Sequence, residues 1–579
     1  LRSTIKIAGE SGSGLVSTGD IFMKALKKKG FYLNADREYP SLIKGGHANY
    51  QIDFSLKPIR SLSSDVDVVL AIDRTGLKEY VGRVKEGGIL IHGDERHHLM
   101  PDILEIAKNR RVQLVYIPAR QIAYSFGGSE LMTNMVLLGL AWKIFGFKYE
   151  ILEEEVNERF ASKPKLLEID LKCLKAGFTA EDVENLPSLK LELPKSVPDT
   201  ILLEGNAAIA LGAIHCGVRC YYAYPMSPSS SILTYMSQWA DEFGLTVKQA
   251  EDEITAAQMA AGSMFMGTRA LVATSGGGFD LMTETLTLPA MIESPFVVVL
   301  CQRPGPATGL PTWTCQGDLN MAIFSGHGEY ARIVIAASDP TSCYELVQHA
   351  MNLAEQYQTP VILLSEKVIC ESRAMVEPFK QKAIPIERGL VTDKDELDAL
   401  EPKDRFKITE SGISKRWIPG ASKTIYYANG DEHREDGTLT EEGEEVKAMY
   451  AKRMRKVQTI EKALPEPKIY GAEKGADISI VGWGSTKCAV LDAIDELESE
   501  SIKVNYLHYE YLWPLKTETV KKFFEENKKV VLIEGNHDGQ LGKLLEANAG
   551  VEFADKYLKF DGRAFYVDEI KSYIMNLKS

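Results

Sequence analysis

The chain has 579 residues, 45% of them apolar and 26% charged, and a formal net charge of −14. That length exceeds what one hydrophobic core supports, so about three or four domains are expected. The acidic balance argues against nucleic acid as a main partner, and no stretch reaches the roughly 20 apolar residues of a membrane-spanning helix.

In chain order, an apolar strand at 5–8 is expected from the first residues on, with no signal peptide ahead of it. It runs into Gly9-Glu10-Ser11-Gly12-Ser13-Gly14 and then a helix near 16–28, closed by Lys27, Lys28 and Lys29, where the helix dipole favours cations. Strands at 66–73, 88–92 and 113–118 follow, each with helical patterning after it. Alternating β and α elements with glycine turns predict an α/β fold of several doubly wound, mostly parallel-sheet domains. The glycine spacing is GxxGxG, not the dinucleotide GxGxxG, so a tight structural turn is expected ahead of a phosphate cradle. His92, His97 and His98 cluster around Asp94 and Glu95 in what reads as a surface loop, not a metal site.

Pro187, Pro194 and Pro198 punctuate a linker at 180–200. Beyond it, strands are expected at 220–223, 270–274, 296–301, 331–336 and 360–365. Residues 380–470 are the least regular, with a helix at 441–456. Strands at 478–482, 503–508 and 529–534 mark a last α/β unit. The expected domains are therefore 1–185, 200–380, an irregular insert at 381–470, and 471–579. The eight cysteines include no CxxC pair and read as reduced, mostly buried thiols of a cytoplasmic protein. Cys216 and Cys220 could meet on one helical face, but an iron–sulfur cluster needs four thiolates.

Three residues stand out for chemistry. Glu253 opens an Ala-rich helix at 254–265, where a carboxylate aimed into a cleft and a first-turn acid favoured by the dipole fit equally. Glu251 and Asp252 read as ordinary first-turn acids. Arg303 follows the strand at 296–301, beyond the carboxyl end where parallel sheets bind ligands. It could grip a carboxylate in bidentate fashion or bond loop carbonyls. Ser227 lies between two prolines, which are expected to hold the backbone extended and aim its hydroxyl.

Five motifs in order carry a resemblance. They are Tyr224-Pro225-Met226-Ser227-Pro228-Ser229-Ser230, Glu251-Asp252-Glu253, Thr274-Ser275-Gly276-Gly277-Gly278-Phe279, Gln302-Arg303-Pro304-Gly305-Pro306-Ala307-Thr308-Gly309 and Gln316-Gly317-Asp318-Leu319. Together they resemble the fused gamma/alpha subunit of the thiamine-diphosphate-dependent 2-oxoacid:ferredoxin oxidoreductases. The resemblance spans nearly the whole chain as a gamma-like domain, a thiamine pyrimidine-binding domain, an insert and a transketolase-C-terminal-like domain. It implies oxidative decarboxylation of a 2-oxoacid with coenzyme A, giving acyl-CoA, CO2 and reduced ferredoxin. It implies Glu253 as the catalytic carboxylate that drives the aminopyrimidine to its imino form from a dry pocket. It also implies Ser227 and Arg303 as 2-oxoacid ligands, and Tyr224, Pro225, Ser275 and Gly276 as cofactor contacts.

The Gly-Asp-Gly motif that holds Mg2+ and the diphosphate is missing from the sequence. By the resemblance, Mg2+ and [4Fe–4S] clusters belong to a beta subunit, with ferredoxin as electron acceptor, in a heterodimer or dimer of heterodimers without nucleic acid or membrane. There are departures too. The family usually has Tyr-Pro-Ile-Thr-Pro where this chain has Met226 and Ser227, which keep the hydroxyl and lose a methyl. Many members carry a basic residue near Trp313 and an acidic one near Cys315. An apolar Trp313 leads to the expectation that the substrate's distal group is not strongly anionic. Lys44-Gly45-Gly46-His47 also matches the family and could lie near coenzyme A or the cofactor. The turns Gly482-Trp483-Gly484-Ser485 and Glu534-Gly535-Asn536-His537-Asp538-Gly539-Gln540 are expected at a domain or subunit interface. Two other readings share these residues: a thiamine-dependent decarboxylase or acyl-transfer enzyme without ferredoxin, and a non-catalytic subunit that kept the fold.

Overall fold

The computed structural model describes residues 2–40, 46–93, 99–181, 183, 186–189, 191–379 and 384–578. Lys44, Gly45, Asp94, Glu95, His97 and His98 lie outside the described residues. The chain forms two compact units. One takes Leu1–Leu202, Ser372–Pro378 and Tyr566–Ser572, and the other Leu203–Glu371, Phe379–Phe565 and Tyr573–Ser579. No helix among the described residues is long and apolar enough to cross a membrane.

In the first unit the central strand Arg2–Glu10 is buried through Ile5, Ile7 and Ala8. Parallel strands Val66–Ala71, Val84–His92 and Gln113–Tyr116 stand in order on one side. On the other side the sheet turns antiparallel, through His47–Ser55, Tyr32–Glu38 and Arg373–Val376. The strand His47–Ser55 alternates Asn49, Gln51 and Asp53 with Tyr50, Ile52 and Phe54, the pattern of an antiparallel strand with one wet face. Here the polar face is dry. Gln51 donates to the Ser63 carbonyl at 2.7 Å, and Asp53 accepts from the Ser63 N–H at 2.8 Å and from Gln51 Nε2 at 3.0 Å. Burial pushes the Asp53 carboxyl up to about 7.

His92 does not sit in a surface loop. It ends the strand Val84–His92 at 2% exposure. The glycine turn leads into the helix Leu15–Lys29 with Gly12 and Gly14 at φ 91 and 82. It borders a cavity of about 730 Å3 shared with Asp73, Thr75 and Asn134. Behind the sheet, helices Thr133–Ile144 and Pro164–Thr179 approach closely through a reciprocal pair of glycines. A Cβ at Gly139 would stand 2.1 Å from the Leu174 carbonyl oxygen, and one at Gly177 would stand 1.9 Å from that of Val136.

The second unit holds two sheets. The larger runs Tyr511–Trp513, Ile333–Ala336, Pro360–Glu366, Phe296–Gln302, Ala270–Thr274, Cys220–Ala223, Thr246–Gln249. All neighbours are parallel except the first pair. Phe296–Gln302 and Pro360–Glu366 are buried throughout, as continuous apolar strands covered on both faces should be. The smaller sheet runs Lys468–Gly471, Val504–Tyr509, Ile478–Trp483, Val530–Glu534, Asp555–Leu558, antiparallel only at its first pair. Cys216 caps the helix Gly205–His215 and Cys220 begins a strand, so these two thiols do not share a helical face.

The irregular stretch is tied to the larger sheet by buried charge. Glu293 is fully buried, with Lys456 Nζ 2.6 Å from its Oε2 and Lys452 Nζ on its Oε1. Arg405 donates to the Glu293 carbonyl at 2.7 Å. Burial alone would raise the Glu293 carboxyl, but Lys456, Lys452 and Arg405 outweigh it and hold it at about 2. That is below the unfolded value of about 4.3. The stabilisation is therefore present above that value and is lost as the pH falls toward the folded one. Glu293→Gln is expected to lower stability by about 3–5 kcal/mol at neutral pH and to flatten the acid limb of the stability curve. Urea unfolding followed by tryptophan fluorescence checks both, and an unchanged midpoint would refute the role of the pair.

Candidate functional site

Adjacent parallel strands of the larger sheet deliver the candidate residues from their carboxyl ends, where open α/β sheets bind ligands. Cys220–Ala223 runs into Tyr224, which is 38% exposed, and the exposed Pro225. The chain then turns. The Met226 carbonyl accepts from Ser229 N–H at 2.8 Å and from Ser229 Oγ at 2.7 Å. Asn206, buried on the helix Gly205–His215, clamps the turn by donating to the Pro228 carbonyl at 2.8 Å and to Ser231 Oγ at 2.7 Å. The Ser227–Pro228 peptide is cis.

Glu253 is the first residue of the helix Glu253–Phe265. Its neighbour Asp252 is the N-cap, accepting from Thr255 N–H at 2.7 Å. With the cap supplied by Asp252, Glu253 turns inward and is 4% exposed. It meets the glycine-rich turn after Ala270–Thr274. A Cβ at Gly278 would lie 2.8 Å from Glu253 Oε1 and 2.1 Å from Thr274 Oγ1. Only glycine leaves the carboxylate that room. Ser275 is fully buried, and its hydroxyl has no hydrogen-bond partner among the described residues.

Arg303 leaves the next strand, Phe296–Gln302, and its Nη1 donates to the Ser227 carbonyl at 2.8 Å. One bond therefore joins the serine motif to the arginine loop. The loop returns to its origin, because Asp318 N–H donates to Gln302 Oε1 at 3.0 Å. Asp318 faces Gly276, where a Cβ would stand 3.0 Å from its Oδ2, and that oxygen is buried without a hydrogen-bond partner among the described residues. Burial and then Asp280 push the Asp318 carboxyl up, and Arg303 pulls it back, to about 6. Ser227, Glu253, Ser275, Gly276 and Arg303 thus gather around one set of strand ends. In the sequence Asp318 is one member of the Gln316-Gly317-Asp318-Leu319 motif, and nothing in its local pattern sets it apart.

The same loop is held from the smaller sheet. Gln316 Oε1 accepts from Gly535 N–H at 2.6 Å, while its Nε2 donates to the Trp483 carbonyl at 2.8 Å and to Glu366 Oε1 at 3.1 Å. Its backbone donates to the Gly535 carbonyl at 2.8 Å and accepts from Asn536 Nδ2 at 2.9 Å. Glu366 also accepts from Ser485 N–H at 2.8 Å and from Thr314 Oγ1 at 3.0 Å. Burial raises the Glu366 carboxyl, and these donors oppose the rise. Gly484, at positive φ, leaves room for Gln316, since a Cβ there would stand 2.4 Å from its Nε2, and one at Gly535 would press on its Oε1 at 3.0 Å. Both C-terminal turns therefore pack on the arginine loop.

Trp313 is not a bare indole. The Arg563 guanidinium lies over it, 3.5 Å from the ring centroid, and the Gly562 carbonyl accepts from Thr314 N–H at 3.1 Å. Burial, followed by Asp318 and Glu366, pushes the Cys315 thiol up to about 12, so it stays protonated.

Removing the Gln316 side chain strands the Gly535 N–H and takes a donor from the buried Glu366 carboxylate. Each loss costs about 1–3 kcal/mol. Gln316→Ala is expected to speed amide exchange across 303–318 by at least about tenfold and to lower kcat/KM. Hydrogen exchange by mass spectrometry checks it, and unchanged protection in that loop would refute the clamp.

Family models match along the chain. They are pyruvate ferredoxin/flavodoxin oxidoreductase over residues 4–180, the thiamine diphosphate-binding model of pyruvate flavodoxin/ferredoxin oxidoreductase over 211–452, and the transketolase C-terminal domain over 469–551. The 2-oxoacid:ferredoxin oxidoreductase subunit alpha of Saccharolobus solfataricus is 31% identical over 625 residues, covering 99% of this chain and 97% of its own. The 2-oxoglutarate oxidoreductase subunit KorA of Mycobacterium tuberculosis is 28% identical, covering 98% and 90%. A solved structure of 2-oxoglutarate:ferredoxin oxidoreductase from Magnetococcus marinus, with 2-oxoglutarate, coenzyme A and succinyl-CoA bound, matches at a TM-score of 0.92. It is 30% identical and covers 100% of both chains.

Proposed function

The chain belongs to the 2-oxoacid:ferredoxin oxidoreductase family, and on that premise we propose that it contributes the acid and the substrate clamp of the active site, with Glu253 and Arg303 as the principal groups. It is one subunit of a multi-subunit enzyme. The enzyme oxidatively decarboxylates a 2-oxoacid with coenzyme A, giving acyl-CoA and CO2, and passes the electrons to ferredoxin. The observation that supports this most directly is the bond from Arg303 to the Ser227 carbonyl beside a buried Glu253.

The residues present suit the pyrimidine half of thiamine diphosphate. Among the described residues, Ser275 Oγ and Asp318 Oδ2 are buried polar atoms without hydrogen-bond partners, and a Cβ at Gly277 would meet open space. When bound, thiamine diphosphate supplies the nucleophilic carbon and the electron sink. Glu253 would hold the pyrimidine ring nitrogen and exchange a proton with it from a site closed to water. Ser275, Gly276, Tyr224 and Pro225 would frame that ring. Arg303 spends one donor on the Ser227 carbonyl and keeps the rest of its fork for the substrate carboxylate. Ser227 turns its hydroxyl to the same substrate. Mg2+, the diphosphate and the iron–sulfur clusters fall to a beta subunit in the cytoplasm.

The stack of Arg563 on Trp313 bears on the substrate's far end. It places a cation on the loop where the sequence suggested only an apolar surface. This favours a dicarboxylic 2-oxoacid such as 2-oxoglutarate over the non-anionic distal group expected from Trp313. Arg563→Ala is expected to raise KM for 2-oxoglutarate by about tenfold or more and to leave KM for pyruvate nearly unchanged. Equal effects on the two substrates would count against the assignment.

The function itself is tested by coenzyme A-dependent viologen reduction in the assembled complex. Glu253→Gln is expected to lower turnover by about 100-fold or more with the complex still assembled. Arg303→Ala is expected to raise KM for the 2-oxoacid on the order of 10- to 100-fold. Full activity of the glutamine variant would overturn the role of Glu253, and an unchanged KM that of Arg303.

A further inference from the structure

The bond from Arg303 to the Ser227 carbonyl joins two loops, and the guanidinium points one way only if both are held. The arginine loop is held by Gln316 on Glu366. The serine turn is held by Asn206. This residue is fully buried, second in the helix Gly205–His215, and it spends both amide hydrogens on the turn. One goes to the Pro228 carbonyl at 2.8 Å and one to Ser231 Oγ at 2.7 Å. A carbonyl can only accept, so the amide nitrogen must face Pro228. Asn206 Oδ1 is then buried without a hydrogen-bond partner among the described residues. Such an acceptor costs about 1–3 kcal/mol. Alanine would carry no such cost, so the fold keeps Asn206 for its two donors.

The path from Asn206 to Arg303 is short and stiff. The Ser227 carbonyl lies in the planar peptide that joins Ser227 to Pro228. The proline ring fixes φ of Pro228. Only ψ of Pro228 then stands between that plane and the Pro228 carbonyl that Asn206 holds. Ser229 closes the turn from the other side, with its N–H and Oγ on the Met226 carbonyl at 2.8 and 2.7 Å. The Ser227 carbonyl placed in this way accepts from Arg303 Nη1 at 2.8 Å.

The helix that carries Asn206 is seated on the mount of the arginine loop. A Cβ at Gly205 would stand 2.3 Å from the Ile369 carbonyl oxygen, so only glycine lets the helix start against the segment Lys367–Glu371. That segment continues the strand Pro360–Glu366. Glu366 supports the arginine loop through Gln316, and Ile369 supports the serine turn through Gly205 and Asn206. Both ends of the Arg303–Ser227 bond therefore hang from one short stretch of chain.

We propose that Asn206 is a positioning residue for the substrate carboxylate: by pinning the Pro228 carbonyl it aims the Ser227 carbonyl, and through it the Arg303 fork, at the 2-oxoacid. This rests on Arg303 as the carboxylate-binding group. Asn206 acts through these residues and takes no part in the chemical step, so its loss weakens the grip on substrate and leaves the chemistry alone.

The test uses the assembled, cofactor-loaded complex and viologen reduction. Asn206→Ala is expected to raise KM for the 2-oxoacid about tenfold, because a displaced clamp loses orientation. KM for coenzyme A and kcat are expected to stay within about twofold of wild type. Calorimetric titration with oxamate, an unreactive 2-oxoacid mimic, is expected to show the same weakening without turnover. In an Arg303→Ala background the substitution is expected to add nothing, since the group it aims is gone. A merely structural asparagine would lower kcat or the yield of complex alike in both backgrounds. That pattern, or an unchanged KM, overturns the proposal. Should Asn206→Ala not assemble, Ser231→Ala decides. It removes one of the two bonds from a half-buried position and is expected to raise the same KM about threefold; no rise overturns the proposal. A complex inactive with every 2-oxoacid, or an Arg303→Ala variant with unchanged KM, overturns instead the reading on which it rests.

Discussion

Three groups from two sheets close on one neutral amide. Gly535 N–H, the Trp483 carbonyl and the Glu366 carboxylate all bond the side chain of Gln316 within 3.1 Å. Only an amide can serve here. It offers an acceptor to an N–H and two donors to a carbonyl and a carboxylate, and it adds no charge to a buried place. The loop that begins at Arg303 is closed at its base by Asp318 on Gln302 and gripped along its length by Gln316. A guanidinium that must meet a small anion in one orientation needs such rigid support, because loops left to themselves move.

Around that support the site collects acids in an already acidic chain. Glu366, Glu253 and Asp318 lie close to the ends of neighbouring strands, and each is handled differently. Glu366 is saturated by donors from Ser485, Thr314 and Gln316. Glu253 is buried against Gly278 after Asp252 has taken the capping work. Asp318 keeps one oxygen without a hydrogen-bond partner among the described residues. Buried carboxylates that are fully bonded hold structure together, whereas those with unused valence can exchange protons or ligands. Glu293 belongs to the first kind, with a buried lysine on each of its two oxygens.

Much of the larger sheet was legible in the chain. Cys220–Ala223 and Ala270–Thr274 fall where the apolar runs put them, and Phe296–Gln302 and Pro360–Glu366 each extend one residue further. The last three are buried on both faces, so their apolar runs are continuous and bounded by glycine or proline, whereas Cys220–Ala223 buries one face only. The antiparallel half of the first sheet was not legible. The polar alternation of His47–Ser55 suggests a wet face, and only the segment at 60–63 folded over it shows that the face is dry. The edge strand Thr246–Gln249 is mostly exposed and carries little apolar signal. Arg563 lies far along the chain from Trp313, and no local pattern could have paired them.

By itself the sequence determined the α/β class, the order of the motifs and the family, because strand ends, glycine turns and proline brackets are local signals that each residue carries with it. What only the tertiary structure decided is which of those signals face one another. Asp252 rather than Glu253 caps the helix, which frees Glu253 to turn inward. Arg303 reaches back to the Ser227 carbonyl, Asp318 is left with an unpaired oxygen, and the last domain holds the arginine loop through Gln316. These are contacts between residues far apart in the chain. They follow from how sheets and helices share buried space, which no window of the sequence contains.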